Sequence, residues 1–247
     1  MLEVRDVHKS FGGIKALDGA GFRLDAPGIY GLIGPNGAGK TTLFDVICGR
    51  QVADAGEVTF EGRPIAGLRP HQLARLGLAR TFQECRVLAD ESCLDNLLFS
   101  AQDKRLAPEL AQAFSRNRSR RRTAADAAHR LLTLVSLDSY ADAPAGALSY
   151  GQRRLLEIVS NLMVRPRVLL LDEPASGVNP TLLNTLHDFI LTIQRETRTL
   201  FLIVEHNMEF IMSLASRIIV MHQGRVLEQG TPAEIQANPR VIEAYLG

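Results

Sequence analysis

Two stretches of this sequence carry the residue types that hold phosphate. Residues 34–41 read GPNGAGKT, matching G-x-x-x-x-G-K-[ST], between an apolar strand-like run and a helical one. That flanking context is what a phosphate-cradling loop requires. The backbone of Gly34, Pro35, Asn36, Gly37, Ala38 and Gly39 would wrap a β-phosphate, and glycine at 34, 37 and 39 lets the chain approach without a Cβ clash. Lys40 would reach the β/γ oxygens and the Thr41 hydroxyl would ligate Mg²⁺, with Thr42 completing the cradle. Such a loop predicts a metal-side carboxylate at the end of another strand, and VLLLDEP supplies it. Asp172 would hold Mg²⁺ through its water shell, while Glu173 would polarise an attacking water. There is no N-K-x-D guanine-reading motif, which favours ATP over GTP.

The second stretch is LSYGQRRLLEIV, residues 148–159. Ser149 is placed to cap a helix, and Leu155, Leu156, Val159, Leu162 and Met163 recur at three- and four-residue spacing to bury one face. With Gly151 and Gln152 at its start, this helix offers free N–H groups to an anion. The chain therefore has two phosphate-type helix starts, far apart in sequence.

The elements that must position these groups alternate. Residues 1–27 mix short strand-like pieces such as 2–7 with turns; 28–33, 57–60, 79–82, 168–171, 200–204 and 218–221 read as strands. Helices are expected at 40–48 and 180–195, the latter with Leu182, Leu186, Phe189, Ile190 and Ile193 on one face. Strands alternating with helices imply a parallel sheet covered on both faces. From about 84 to 165 the pattern turns helical and interrupts that alternation, as an inserted lobe would.

Composition bounds the classes. With 247 residues, 46% of them hydrophobic, the chain can bury a substantial core, and a net charge of +1 gives it no bulk attraction to nucleic acid. Cysteines 48, 85 and 93 are odd in number and lack metal-ligand spacing, so disulfides are not expected and a reducing compartment fits. The six histidines show no metal-ligand spacing either, leaving Mg²⁺ as the expected metal. No run approaches the roughly 18–20 apolar residues of a membrane span, and MLEVRDVHKSF lacks a signal-peptide core.

Taken together, the motifs resemble those of the ATP-binding-cassette ATPases. GPNGAGKTT is similar to their Walker A, VLLLDEP to Walker B, LSYGQ to the signature motif, TFQ ending at Gln83 to the Q-loop, VEH ending at His206 to the switch histidine, and SGVNP, 176–180, to the D-loop. They occur in family order, and the resemblance spans essentially the whole chain. It implies one α/β domain over 1–247, a P-loop NTPase core with an N-terminal antiparallel β piece and an inserted helical lobe at 84–165. It also implies a head-to-tail dimer, in which Ser149, Gly151 and Gln152 of one cassette close over ATP held by the P-loop of the other. Gln83 would contact Mg²⁺ or the water, and His206 the γ-phosphate. Phe11 resembles the aromatic that stacks on adenine; an ordinary core position is the other reading. Tyr30 reads as core.

Three departures mark the sequence: Tyr150 where the common signature has Gly, Asn179 where the D-loop usually has Asp, and Asn207 after the histidine. Tyr150 would point out of its loop and pack at the dimer or adenine side. With the ending TPAEIQANPRVIEAYLG, the pattern looks like the ATPase subunits of branched-chain amino acid importers and their amide and urea relatives. That resemblance implies peripheral attachment at the cytoplasmic face of the membrane. Its partners would be permease subunits, a second cassette (identical or a paralogue) and, indirectly, a solute-binding protein; no nucleic acid is involved. Val87 and Leu88 are either permease contacts or lobe core. The basic run Arg116, Arg118, Arg120, Arg121 and Arg122 reads first as a solvated face and second as a contact for anionic lipid. An exporter ATPase and a soluble ABC ATPase working on ribosomes or DNA are the alternatives.

Overall fold

A computed structural model describes residues 1–81, 87–101 and 118–246. Its elements, in chain order, begin with β1 (Leu2–Phe11), β2 (Ile14–Leu24), β3 (Ile29–Ile33), α1 (Lys40–Ile47), β4 (Ala55–Phe60), β5 (Arg63–Pro64), α2 (Pro70–Leu76) and β6 (Leu78–Arg80). They continue with α3 (Cys93–Ala101), α4 (Arg118–Leu134), α5 (Tyr150–Leu162), β7 (Val168–Asp172), α6 (Pro180–Thr197) and β8 (Leu200–Val204). The chain closes with α7 (Met208–Leu214), β9 (Arg217–His222), β10 (Arg225–Gly230), α8 (Pro232–Gln236) and α9 (Pro239–Leu246). The chain divides into two compact units, one of residues 1–80, 166–175 and 191–247, the other of 81–165 and 176–190.

In the first unit the apolar runs IYGLI, VLLLD and LFLIV become strands buried at every position. Such runs fit a parallel sheet, whose strands are buried on both faces. They form the middle of a six-stranded sheet of order β10-β9-β3-β8-β7-β6, parallel except for β10 against β9. The P-loop strand β3 thus lies between β9 and β8. A four-stranded antiparallel sheet, β2-β1-β4-β5, is built on a hairpin whose two-residue turn is Gly12-Gly13. Both glycines have positive φ, 52° and 87°, as a type I′ turn requires. This hairpin is longer than the short strand-like pieces legible in 1–27. Asp6 sits at φ 46° where the register shifts between Val4 and Val7, and that bulge breaks the alternation of apolar and polar positions. One core joins the antiparallel sheet (Leu2, Val4, Phe22, Val58), α1 (Leu43, Phe44, Ile47) and the parallel strands (Leu32, Leu170, Leu202, Ile219).

In the second unit α3 packs against both α4 and α5. Helix α5 buries Leu155, Leu156, Ile158, Val159 and Leu162, and with them an ion pair between Arg154 and Glu157 at 2.8 Å. Both charges are buried, so each offsets the other's lost hydration. Among the described residues no helix is long and apolar enough to cross a membrane. Cys48 and Cys93 are free and buried.

Candidate active site

The loop between β3 and α1 carries Gly34, Pro35, Asn36, Gly37, Ala38 and Gly39, and α1 opens with Lys40, Thr41 and Thr42. Gly39 occupies the N-cap position at φ 97° and provides no side-chain cap, so the first N–H groups of α1 are not capped by a side chain. A loop with helix N–H groups pointing from it suits an anion. The loop is fastened by the Gly224 N–H, which donates to the Ala38 carbonyl at 3.1 Å. A Cβ on Gly39 would lie 2.4 Å from the Ala16 carbonyl oxygen. Gly39→Ala is therefore expected to destabilise the protein by about 1–3 kcal/mol and to weaken nucleotide binding. Thermal denaturation and ATP titration check this; an unchanged melting temperature would show that the loop has room.

Lys40 is buried, and its Nζ donates to the carbonyls of Gly34 at 2.7 Å and Pro35 at 2.9 Å. Burial pulls its pKa down, while the nearby charges of Glu173 and then Asp172 push it back up. The loop lysine therefore feels the charges of the two carboxylates at the end of β7.

Asp172 is 2% exposed and its Oδ2 accepts from Arg80 at 2.7 Å. Arg80, on β6, also donates to Asp45 Oδ1 at 2.5 Å and to Cys48 Sγ at 3.1 Å, and lies over the Phe44 ring at 5.5 Å. Burial alone would lower the pKa of this guanidinium; its acceptors Cys48, Asp45 and Asp172 outweigh burial and raise it. Burial in turn pushes the Cys48 thiol up, opposed by Arg80.

Glu173 follows in the left-handed region, φ 48°, a conformation that costs a non-glycine residue about 1–2 kcal/mol. Its N–H donates to the Val204 carbonyl at 2.9 Å, and its Oε1 lies 3.0 Å from His206 Nε2. His206 stands just past β8, so the sheet brings the carboxylate and the imidazole together from adjacent strands. Beside them Glu205 is 3% exposed. Its Oε1 accepts the Ala175 N–H at 2.7 Å, and its Oε2 accepts the N–H groups of His206 at 3.0 Å and Asn207 at 3.2 Å. Burial raises the Glu205 pKa, the three N–H donors oppose that, and the Glu173 charge adds to it. Asn207 caps α7, its Oδ1 accepting the Phe210 N–H at 3.0 Å.

In the second unit Ser149, Gly151 and Gln152 open α5. Ser149 Oγ accepts the Gln152 N–H at 3.3 Å and Gln152 Oε1 accepts the Ser149 N–H at 2.9 Å, a reciprocal capping box. Tyr150 is 44% exposed, and its ring carbon Cε1 would lie 2.8 Å from a Cβ on Gly177. The tyrosine therefore packs on the SGVNP segment of its own chain. Asn179, in that segment, accepts the Leu182 N–H at 3.0 Å at the start of α6. The amide oxygen caps this helix as an aspartate would.

Phe11 is 45% exposed at the hairpin tip, with Lys9 Nζ 5.4 Å from its ring, which removes the core reading. Tyr30 is buried, its hydroxyl donating to the Ala26 carbonyl at 3.1 Å. Leu88 is exposed and Val87 half-buried. Gln83, Cys85, Arg116 and the side chains of Arg118, Arg120 and Arg121 lie outside the described residues. Arg80 and Glu205 are the site neighbours that sequence reading missed. Arg80 directly precedes TFQ and Glu205 is the middle residue of VEH, but no spacing rule gives either a role.

Comparison with known proteins gives a consistent picture. Residues 17–176 match the family model for the ABC transporter, and residues 225–247 match that of the branched-chain amino acid ATP-binding cassette transporter. The high-affinity branched-chain amino acid transport ATP-binding protein BraF of Pseudomonas aeruginosa is 40% identical, over 100% of this chain and 98% of BraF. The corresponding protein LivG of Escherichia coli is 37% identical, over 100% of this chain and 98% of LivG. Among solved structures, the ADP conformation of MJ1267, an ATP-binding cassette of an ABC transporter, superimposes with a TM-score of 0.85 at 32% identity, over 100% of this chain and 98% of that one. With the phosphate loop, the paired carboxylates and the capped signature helix in place, the chain belongs to the ABC transporter family as an ATP-binding cassette, an ATPase.

Proposed function

We propose that this chain is the energy-coupling subunit of a membrane importer, hydrolysing ATP to drive uptake of branched-chain amino acids or related amides. The observation that carries the catalytic part is the gathering of Lys40, Asp172 and the Glu173–His206 pair at the ends of adjacent parallel strands. The solute class rests on full-length identity to BraF and LivG, whose names state branched-chain amino acid transport, and on the match at 225–247.

In the proposed reaction a water attacks the γ-phosphorus in line. The bond to the β–γ bridging oxygen breaks, and ADP and phosphate leave. Glu173 orients the water and takes its proton; His206, 3.0 Å from that carboxylate, holds it and reaches the γ-phosphate. Lys40 leaves the loop carbonyls to bind the β/γ oxygens. Phe11, exposed at the hairpin tip, stacks on adenine. Asp172 and Thr41 offer oxygen donors, the kind that Mg²⁺ takes, and with Gln83 they would hold an ion that neutralises phosphate charge. Ser149, Gly151 and Gln152 act on the nucleotide of a second cassette, because a helix start favours an anion. One chain alone would then bind ATP and turn it over slowly. The permease partners place the chain at the cytoplasmic face of the membrane.

Purification from native membranes in mild detergent tests the reading. Permease subunits and a second cassette should accompany the chain, and a solute-loaded binding protein should stimulate its ATPase. Recovery with ribosomes or DNA alone would overturn the transport reading.

A further inference from the structure

The catalytic pair is held by a residue whose carboxylate bonds backbone N–H groups rather than the two catalytic side chains. Glu173 sits in a backbone conformation that favours glycine, and such a conformation persists only where the surroundings over-determine it. On its own N–H it is fixed by the Val204 carbonyl at 2.9 Å. Two residues further on, the Ala175 N–H is fixed by Glu205 Oε1 at 2.7 Å. The other oxygen of the same carboxylate takes the N–H groups of His206 and Asn207, at 3.0 and 3.2 Å. One buried side chain thus ties the backbone leaving Glu173 to the backbone bearing His206. The 3.0 Å approach of Glu173 Oε1 to His206 Nε2 lies across that tie.

We propose that Glu205 is a positioning residue for hydrolysis: its carboxylate clamps the segment after Walker B to the switch-histidine turn and so sets the Glu173–His206 geometry. The inference rests on the ATPase reading of that pair. The chemistry fits a carboxylate and no other side chain of its size. Three backbone donors converge on it, and an ionised carboxylate accepts at both oxygens. Glutamine would accept at one and turn an NH₂ toward the remaining N–H groups, while aspartate would fall short of one side of the clamp. Charge-assisted bonds of this kind are also the stronger ones. None of the P-loop bonds of Lys40 involves Glu205, so the clamp should serve turnover rather than nucleotide binding.

Glu205→Gln and Glu205→Ala test this in the full chain, with ATP binding, KM and kcat measured together. Misplacement of a reacting group by about 1 Å costs on the order of 10²-fold in rate. We expect kcat to fall by roughly 10–100-fold in both variants, with ATP affinity and KM within about twofold. A second readout separates positioning from general structural support. In a Glu173→Gln background, Glu205→Ala should add no further loss to the residual single-turnover rate, because residues acting as one unit are not additive. If Glu205→Ala fails to fold, Glu205→Gln decides on the same measurements. Unchanged kcat in a variant that binds ATP, or a full additive loss in the Glu173→Gln background, overturns the clamp. A wild-type chain that binds ATP and never hydrolyses it, with its partners present, would instead overturn the ATPase reading itself.

Discussion

Glu173→Gln is expected to slow ATP turnover by at least about 10²-fold while leaving ATP binding intact. Glutamine keeps the size of the side chain and an oxygen for His206, now 3.0 Å away, but it cannot take a proton from water. A positioned proton acceptor contributes about 10²–10⁴-fold in reactions of this kind. The proposed nucleotide cradle, by contrast, comprises the loop backbone and Lys40, whose bonds to Gly34 and Pro35 do not involve Glu173. ATP should therefore bind, persist and hold two cassettes together. Phosphate release in the steady state and molecular mass in solution with ATP check both halves. A variant that stays monomeric with ATP and still turns over would remove Glu173 from the role given to it.

The largest effect on stability is expected at Arg80. Its guanidinium serves Asp45 at 2.5 Å and Asp172 at 2.7 Å, and Asp172 is almost fully buried. Arg80→Met would leave both carboxylates without that cation. Removing one partner of a buried ion pair costs about 3–5 kcal/mol, equivalent to a fall in melting temperature of roughly 6–20 °C for a chain of this size. Arg80→Lys should fall between, since an ammonium lacks the planar fork that meets two carboxylates at once. Arg80 Nε is itself buried with no partner among the described residues, a cost the ion pairs must exceed. Thermal denaturation decides; a loss under about 1 kcal/mol would show that the surroundings relax around the two acids.

The parts of the fold legible in the sequence are those whose environment is uniform. Residues 29–33, 168–172 and 200–204 are buried on both faces, so their apolar runs mark them as parallel strands at once. The Walker loop is likewise a local pattern whose geometry is set by adjacent glycines. Strands β1 and β2 were harder to see because one bulge at Asp6 shifts the face that each side chain presents. The strand expected at 79–82 is described as Leu78–Arg80, and residue 82 lies outside the described residues. In the site, Arg80 reaches residues 35 and 92 positions away, and Glu205 takes an N–H from 30 positions back. No local periodicity encodes such pairings, because only the closed sheet brings them together. Tyr150 is a similar case: its type is plain in the signature, but its seat on Gly177 depends on how the SGVNP turn folds.

The strand order has a consequence for how the chain is made. β3 and the P-loop emerge early, yet the neighbours that flank β3 end at residues 204 and 222. At ribosomal rates of about 5–20 residues per second, the P-loop strand waits on the order of ten seconds or more for its first partner. Glu173, too, lacks the Val204 carbonyl that fixes its N–H until β8 exists. A chain cut short before residue 200 would carry a phosphate loop on a strand with neither neighbour and a glutamate with no histidine. A chain stopped before residue 200 is therefore expected to spend no nucleotide and to leave the apolar strand β3 without its sheet neighbours.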